Sequence, residues 1–119
     1  MAKTLVLGAS PNPSRFSYLA VKRLLAAGEE TIALGIRDGN IDGVDIQKGK
    51  PMLKEIDTIT LYLGPDRQPE YYDYILNLHP RRIIFNPGTE NPELAKLARD
   101  QGIITEIACT LVMLASGMY

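Results

Sequence analysis

The sequence predicts an α/β protein of Rossmann-like, doubly wound architecture: a mainly parallel sheet with helices on both faces. Three observations lead there. Short apolar runs alternate with helical spacings along the chain, the connections between them are short, and a glycine closes the first apolar run just ahead of a helix start. Such alternation lays strands side by side in parallel, because right-handed crossovers return each helix across a sheet face. A length of 119 residues is near the common size of one domain, so residues 1–119 are read as a single unit.

Lys3 to Leu7 (KTLVL) is short, apolar and followed by Gly8, the pattern of a strand buried on both faces. After a loop from Ala9 to Pro13, apolar residues recur at Phe16, Leu19, Ala20, Leu24 and Ala27. That is a helix, with Ser14 as its expected N-cap and Gly28 as its stop. Thr31 to Ile36 reads as a second strand, and Ile41 to Ile46 as a glycine-punctuated connection holding a short third. Thr58 to Leu63 gives the next strand. A helix follows from about Gln68, with Tyr71, Tyr72, Ile75 and Leu76 on one face, and then a strand at Arg82 to Phe85. Asn91, Pro92 and Glu93 start another helix by capping chemistry, a proline whose missing N–H costs nothing there, and an acid in the first turn. Its stripe is Leu94, Leu97 and Ala98, and Gly102 ends it. Ile103 to Ile107 supplies a last strand, before a tail from Ala108 to Tyr119 too apolar to be left in water.

The chain carries 13 basic and 14 acidic side chains, a balance that gives no general attraction to nucleic acid or to an acidic membrane surface. Cys109 is the only cysteine and His79 the only histidine, which rules out an internal disulfide and leaves too few ligands for a zinc site. No leader is recognised at the start and no apolar run has the length of a spanning helix, so a cytoplasmic location is expected.

In an open doubly wound sheet the ligand sits beyond the carboxyl ends of the strands, where the strand order reverses. Four loops converge there: Gly8 to Arg15, Gly35 to Gly39, Gly64 to Arg67, and Asn86 to Asn91. The first, GASPNPSR, sets a glycine and a helix start where backbone N–H groups and the helix dipole can face a phosphate. Ser10, Asn12 and Ser14 add neutral donors and Arg15 adds charge, although the same residues also make an ordinary capped turn. The dinucleotide pattern G-x-G-x-x-G is absent. At the end of the second strand, Asp38 is available to a ribose, but Arg37 suits a ribose phosphate better. In NPGTENPE, Gly88 permits a positive φ or close ligand approach, Asn86 offers an amide and Glu90 a carboxylate. Glu90 lacks an acidic or histidine partner in sequence, so no acid–base pair is assigned. His79 reads as a surface or helix-end residue and Cys109 as a buried, inert thiol; of Tyr71, Tyr72 and Tyr74, the first two share a core-facing stripe, and without basic interleaving the three do not read as a stacking platform for nucleic acid. No catalytic or metal-binding residue is assigned.

Four segments together carry a family resemblance: VLGASPNPSRFSY (Val6 to Tyr18), TLYLGPDRQPEYYDYIL (Thr60 to Leu76), RRIIFNPGTENPEL (Arg81 to Leu94) and EIACTLVML (Glu106 to Leu114). The chain resembles the CoA-binding-domain proteins, small stand-alone relatives of the CoA-binding domain of succinyl-CoA synthetase alpha subunits. The resemblance spans essentially the whole chain. It implies a Rossmann-like fold with coenzyme A lying across the carboxyl edge of the sheet. It further implies Gly8, Ala9, Ser10, Asn12, Ser14 and Arg15 around the phosphates, Leu63, Gly64 and Pro65 beside adenine or pantetheine, and Asn86, Pro87 and Gly88 along the pantetheine arm. The chain departs from the family where many members have proline-valine-asparagine-proline and this one has Leu34, Gly35, Ile36 and Arg37. Arg37 still offers a charge-assisted contact to the 3′-phosphate. The function expected is non-covalent binding of CoA or a short acyl-CoA for sensing, carriage or regulation. The alternatives are an NAD(P)-binding oxidoreductase-like protein and a detached CoA-binding subunit of a ligase. A ligase partner and a homo-oligomer both stay open.

Overall fold

The structure, a computed structural model, describes residues 3–119. Strands β1 (Lys3–Leu7), β2 (Glu30–Leu34), β3 (Asn40–Ile41), β4 (Val44–Gln47), β5 (Ile56–Leu61), β6 (Arg82–Phe85) and β7 (Ile104–Ile107) form one sheet in the order β3-β4-β2-β1-β5-β6-β7. All neighbours pair in parallel except β3 with β4. The chain winds outward from β1 through β2 to β4, then returns to β5 on the other side of β1. The order therefore reverses between β1 and β5, which is where such sheets open a crevice.

Helices cover both faces, as the sequence predicts. On one face, Leu5, Leu7, Ile59, Leu61, Ile83 and Phe85 pack with Ile75 and Leu76 of α2 (Tyr72–Asn77) and Leu94 and Ala98 of α3 (Pro92–Asp100). On the other, Val6, Ala33 and Ile46 meet Val21 and Leu24 of α1 (Phe16–Ala26), with Leu114 of α4 (Thr110–Ser116) alongside. Along β1 and β2 the side chains divide by parity between the two cores, so the buried runs seen there in sequence serve both at once.

Several expected boundaries change. Ser14 does not cap α1. Arg15 holds the N-cap position with no side-chain bond, while the Ser14 hydroxyl and N–H both donate to Asn12 Oδ1 at 2.8 and 3.0 Å. Local Asx geometry satisfies the turn before the helix begins. Ile41 to Ile46 is not a single short strand but the hairpin β3–β4, turned by Asp42 (φ 49°) and Gly43 (φ 94°). The helix expected from Gln68 starts as a 3₁₀ turn, Pro69–Tyr71, before α2. The apolar tail folds as α4 against α1, and the Tyr119 hydroxyl bonds to that of Thr4 while the Arg82 guanidinium lies 4.5 Å from the Tyr119 ring centre. Asn91 caps α3 as expected, its Oδ1 accepting from Leu94 N at 3.1 Å. Among the described residues, no helix is long and apolar enough to cross a membrane.

At the opposite end of the sheet, Arg81 grips Asp57 with Nε 2.9 Å from Oδ1 and Nη2 3.2 Å from Oδ2. That hydrogen-bonded cation holds the Asp57 carboxyl below its usual value of 3.8. A depressed folded-state pKa adds stability above the unfolded value that is lost as pH falls through the folded one. Asp57→Asn should therefore lower stability at pH 7, by under about 1 kcal/mol because the pair is partly solvated. The gap between variant and wild type in urea midpoint should close as the pH falls below 3.8.

Candidate functional site

The site grows from the ends of β1, β2, β5 and β6. Gly8 leaves β1 at φ 100°, a conformation side chains resist, and its backbone passes so close to β5 that a Cβ would lie 2.8 Å from the Tyr62 carbonyl carbon. The loop after β2 locks onto the loop after β1. A Cβ on Gly35 would sit 2.2 Å from the Ala9 carbonyl oxygen, and one on Gly39 would sit 2.6 Å from Pro11 Cβ. The N–H groups of Gly8 and Ala9 both donate to Leu34 O at 2.9 Å, which ties the same two loops together.

Those bonds change which amides face outward. The N–H groups of Gly8, Ala9, Asn12, Ser14 and Arg15 are all engaged inside the loop or with β2. Among the described residues, the N–H groups left open are that of Ser10 and those of Phe16, Ser17 and Tyr18 in the first turn of α1, which a helix cannot satisfy for itself. The dipole of the 11-residue helix adds positive potential at the same place.

A cleft of about 480 Å³ opens here. Of the residues singled out in sequence, it brings together Gly8, Ala9, Ser10, Arg15, Arg37, Leu63, Gly64, Pro87 and Gly88. An adjoining hollow of about 370 Å³ adds Asn12 and shares Ser10, Arg15 and Arg37. Ser14 and Pro65 are exposed and line neither. Asn86 lies beneath the floor, with 1% of its surface exposed. Its Nδ2 donates to Thr60 Oγ1 and Leu61 O at 2.6 and 2.8 Å, and its Oδ1 accepts from Thr110 N at 2.9 Å, so its amide joins β5 to α4.

The cleft also contains residues that sequence reasoning did not select. Phe16 and Ile36 are 73% and 57% exposed, an unusual state for large apolar side chains, and both line the cleft. The sequence signal for Ile36 is an apolar residue inside the loop Gly35 to Gly39, and that for Phe16 an apolar residue directly after the loop Gly8 to Arg15. Arg67, Tyr71 and Thr89 complete the walls. Tyr71 therefore serves the cleft as well as the core. Tyr62 lines it too, with its hydroxyl buried and no hydrogen-bond partner among the described residues; burial is the largest cause pushing that phenol up to about 12.

The lining carries three arginines, Arg15, Arg37 and Arg67, and no carboxylate. Among the described residues, none of the three is in an ion pair, whereas Asp38 is held by Lys48 at 3.1 Å. Glu90 faces its own loop, its Oε1 accepting from Gly88 N at 2.8 Å. His79 is exposed just past α2 at φ 48°, and Cys109 is half-buried at the start of α4. The arrangement can bind an elongated polyanion: Arg15, Arg37 and the start of α1 come from the β1 and β2 side, and Leu63, Gly64, Pro87 and Gly88, with Arg67, from the β5 and β6 side.

Fold and cleft thus define a Rossmann-like protein with an open cleft at its topological switch point. Residues 2–115 match the family described as the CoA binding domain, and the chain belongs to it. That membership supports coenzyme A as the class of ligand. A crystal structure of an uncharacterised protein is 47% identical over 100% of this chain and 98% of that one, with a TM-score of 0.97. A protein of Thermus thermophilus, cell-free ID.343, is 20% identical, covers 99% of this chain and 90% of its own, and has a TM-score of 0.86. A hypothetical protein of Pyrococcus horikoshii OT3 is 21% identical over 97% and 82%, with a TM-score of 0.84. The last two likenesses show the fold. No curated protein matches the chain.

Proposed function

We propose that the protein binds coenzyme A or a short acyl-CoA non-covalently in this cleft, as a carrier or sensor of the cofactor. The observation that carries the reading is the charge pattern of the lining, three arginines and no carboxylate, in a cleft that includes the start of α1 and the uncharged residues Leu63, Gly64, Pro87 and Gly88. In this reading the diphosphate takes the open amides of Phe16 and Ser17 together with Arg15. Arg37 takes the 3′-phosphate, Phe16 and Ile36 flank the adenine, and pantetheine runs past Leu63, Gly64, Pro87 and Gly88.

Isothermal titration calorimetry with CoA, acetyl-CoA, dephospho-CoA, NAD and NADP tests it. CoA and acetyl-CoA should bind, and dephospho-CoA more weakly, because the 3′-phosphate contact is missing. Binding of NAD or NADP without CoA would move the protein to the oxidoreductase-like alternative. Arg15→Ala should weaken CoA by about 10- to 100-fold, the effect of losing a charge-assisted hydrogen bond of about 1.5–3 kcal/mol, with an unchanged melting temperature. Unaltered affinity would take Arg15 out of the site.

A further inference from the structure

We propose that Gln68 is the positioning residue that fixes the spacing between the two walls of the pantetheine half of the cleft; the inference rests on the CoA reading of that cleft. Gln68 stands in the sequence between the exposed residues Arg67 and Pro69, yet none of its own surface is exposed. A polar side chain is buried so completely only when its hydrogen-bonding groups are matched. Its Nε2 donates to Leu63 O at 2.9 Å and to Thr89 O at 2.8 Å, and its Oε1 accepts from Asn91 Nδ2 at 2.9 Å.

Leu63 and Thr89 both line the cleft, one from the loop after β5 and the other from the loop after β6. The two strands pair as far as Leu61 and Phe85. Beyond that, among the described residues, no backbone hydrogen bond joins the loops, and the Gln68 amide spans them. Its orientation is unique, since reversal would set the oxygen against two carbonyls. Asn91 continues the connection: its Nδ2 also donates to Tyr72 Oη at 2.8 Å, and Tyr72 Oη donates to Glu93 Oε1 at 2.9 Å. The amide that spaces the walls is thus held by the residue that caps α3. Arg15 and Arg37 belong to other loops, so the phosphate end should be independent of this junction.

Gln68→Met preserves length and volume while removing all three hydrogen bonds. Calorimetry would compare CoA with adenosine 3′,5′-bisphosphate, which has the nucleotide end and no pantetheine. Backbone hydrogen exchange at Arg67 and Thr89, whose N–H groups close turns in the two loops, would be followed with Ile46 as a distant control. The expected result is a CoA affinity at least about 10-fold weaker, a bisphosphate affinity within about twofold, and faster exchange at Arg67 and Thr89 only. Equal losses for the two ligands, no loss for either, or unchanged exchange would overturn the proposal. Should Gln68→Met fail to fold, Tyr72→Phe breaks the far end of the connection and should weaken CoA by about two- to fivefold with the same selectivity; an equal loss for both ligands again overturns it. If the wild type binds no CoA, the reading of the site fails, and the exchange measurements alone decide the role of Gln68.

Discussion

Gly8→Ala is expected to destabilise the domain by about 3–5 kcal/mol, a large share of the roughly 5–15 kcal/mol typical of a small domain. Two effects add. The residue sits at φ 100°, where a side chain brings backbone strain of about 1–3 kcal/mol. The new Cβ also meets the Tyr62 carbonyl carbon at 2.8 Å and Leu63 N at 3.0 Å, an overpacking typically worth about 1–3 kcal/mol. Those atoms cannot easily retreat, because Tyr62 N is bonded to Leu7 O at 2.8 Å in continuation of the β1–β5 ladder. Relief must come from the loop after β1, so CoA affinity should fall together with stability. Gly28→Ala is the control: φ is 81° but nothing lies within 4 Å of the new Cβ, so only conformational strain of about 1–2 kcal/mol is expected. Urea unfolding of both variants checks the difference, and a Gly8→Ala loss no larger than that of Gly28→Ala would refute the close-approach argument.

Asn86→Ala should cost about 3–5 kcal/mol without touching ligand directly. It removes the buried hydrogen bonds to Thr60 Oγ1 and Leu61 O, each contributing about 1 kcal/mol, and leaves Thr110 N without its acceptor, a penalty of about 1–3 kcal/mol. Thr110 is the first residue of α4, and its hydroxyl bonds that of Thr60 at 2.7 Å. Loosening should therefore be concentrated at α4, visible as faster hydrogen exchange at Met113, whose N–H bonds to Cys109 O. A urea midpoint close to that of the wild type would show that the Asn86 junction is dispensable.

The contrast between Asn86 and Arg15 shows where sequence reasoning stops. The family pattern places Asn86 along the pantetheine arm, but the direction of its amide is set by Thr60 and Thr110, which lie 26 and 24 residues away in sequence. In sequence Gln68 reads as an ordinary helix-start residue, because its burial depends on three segments meeting. The strand and helix rhythm was legible because periodicity is a local property, and the convergence of loops followed from the fold rule. The hairpin β3–β4 could have been read from Asp42-Gly43 between Ile41 and Val44, a two-residue turn signal inside a stretch treated as a connection. Phe16 and Ile36 were hidden by the assumption that apolar residues face inward.

The interlock of Gly35 with Ala9 and of Gly39 with Pro11 clamps a three-residue span at both ends while Ile36, Arg37 and Asp38 between them stay exposed. Exposed side chains can usually be exchanged within about 0.5 kcal/mol of folding stability. The span therefore behaves as a replaceable cassette: its anchors are under steric constraint, but its contents are not. On the proposed CoA reading of the cleft, ligand preference at the nucleotide end should be changeable through Ile36 and Arg37, the two of the three that line it, with the frame that presents them left intact.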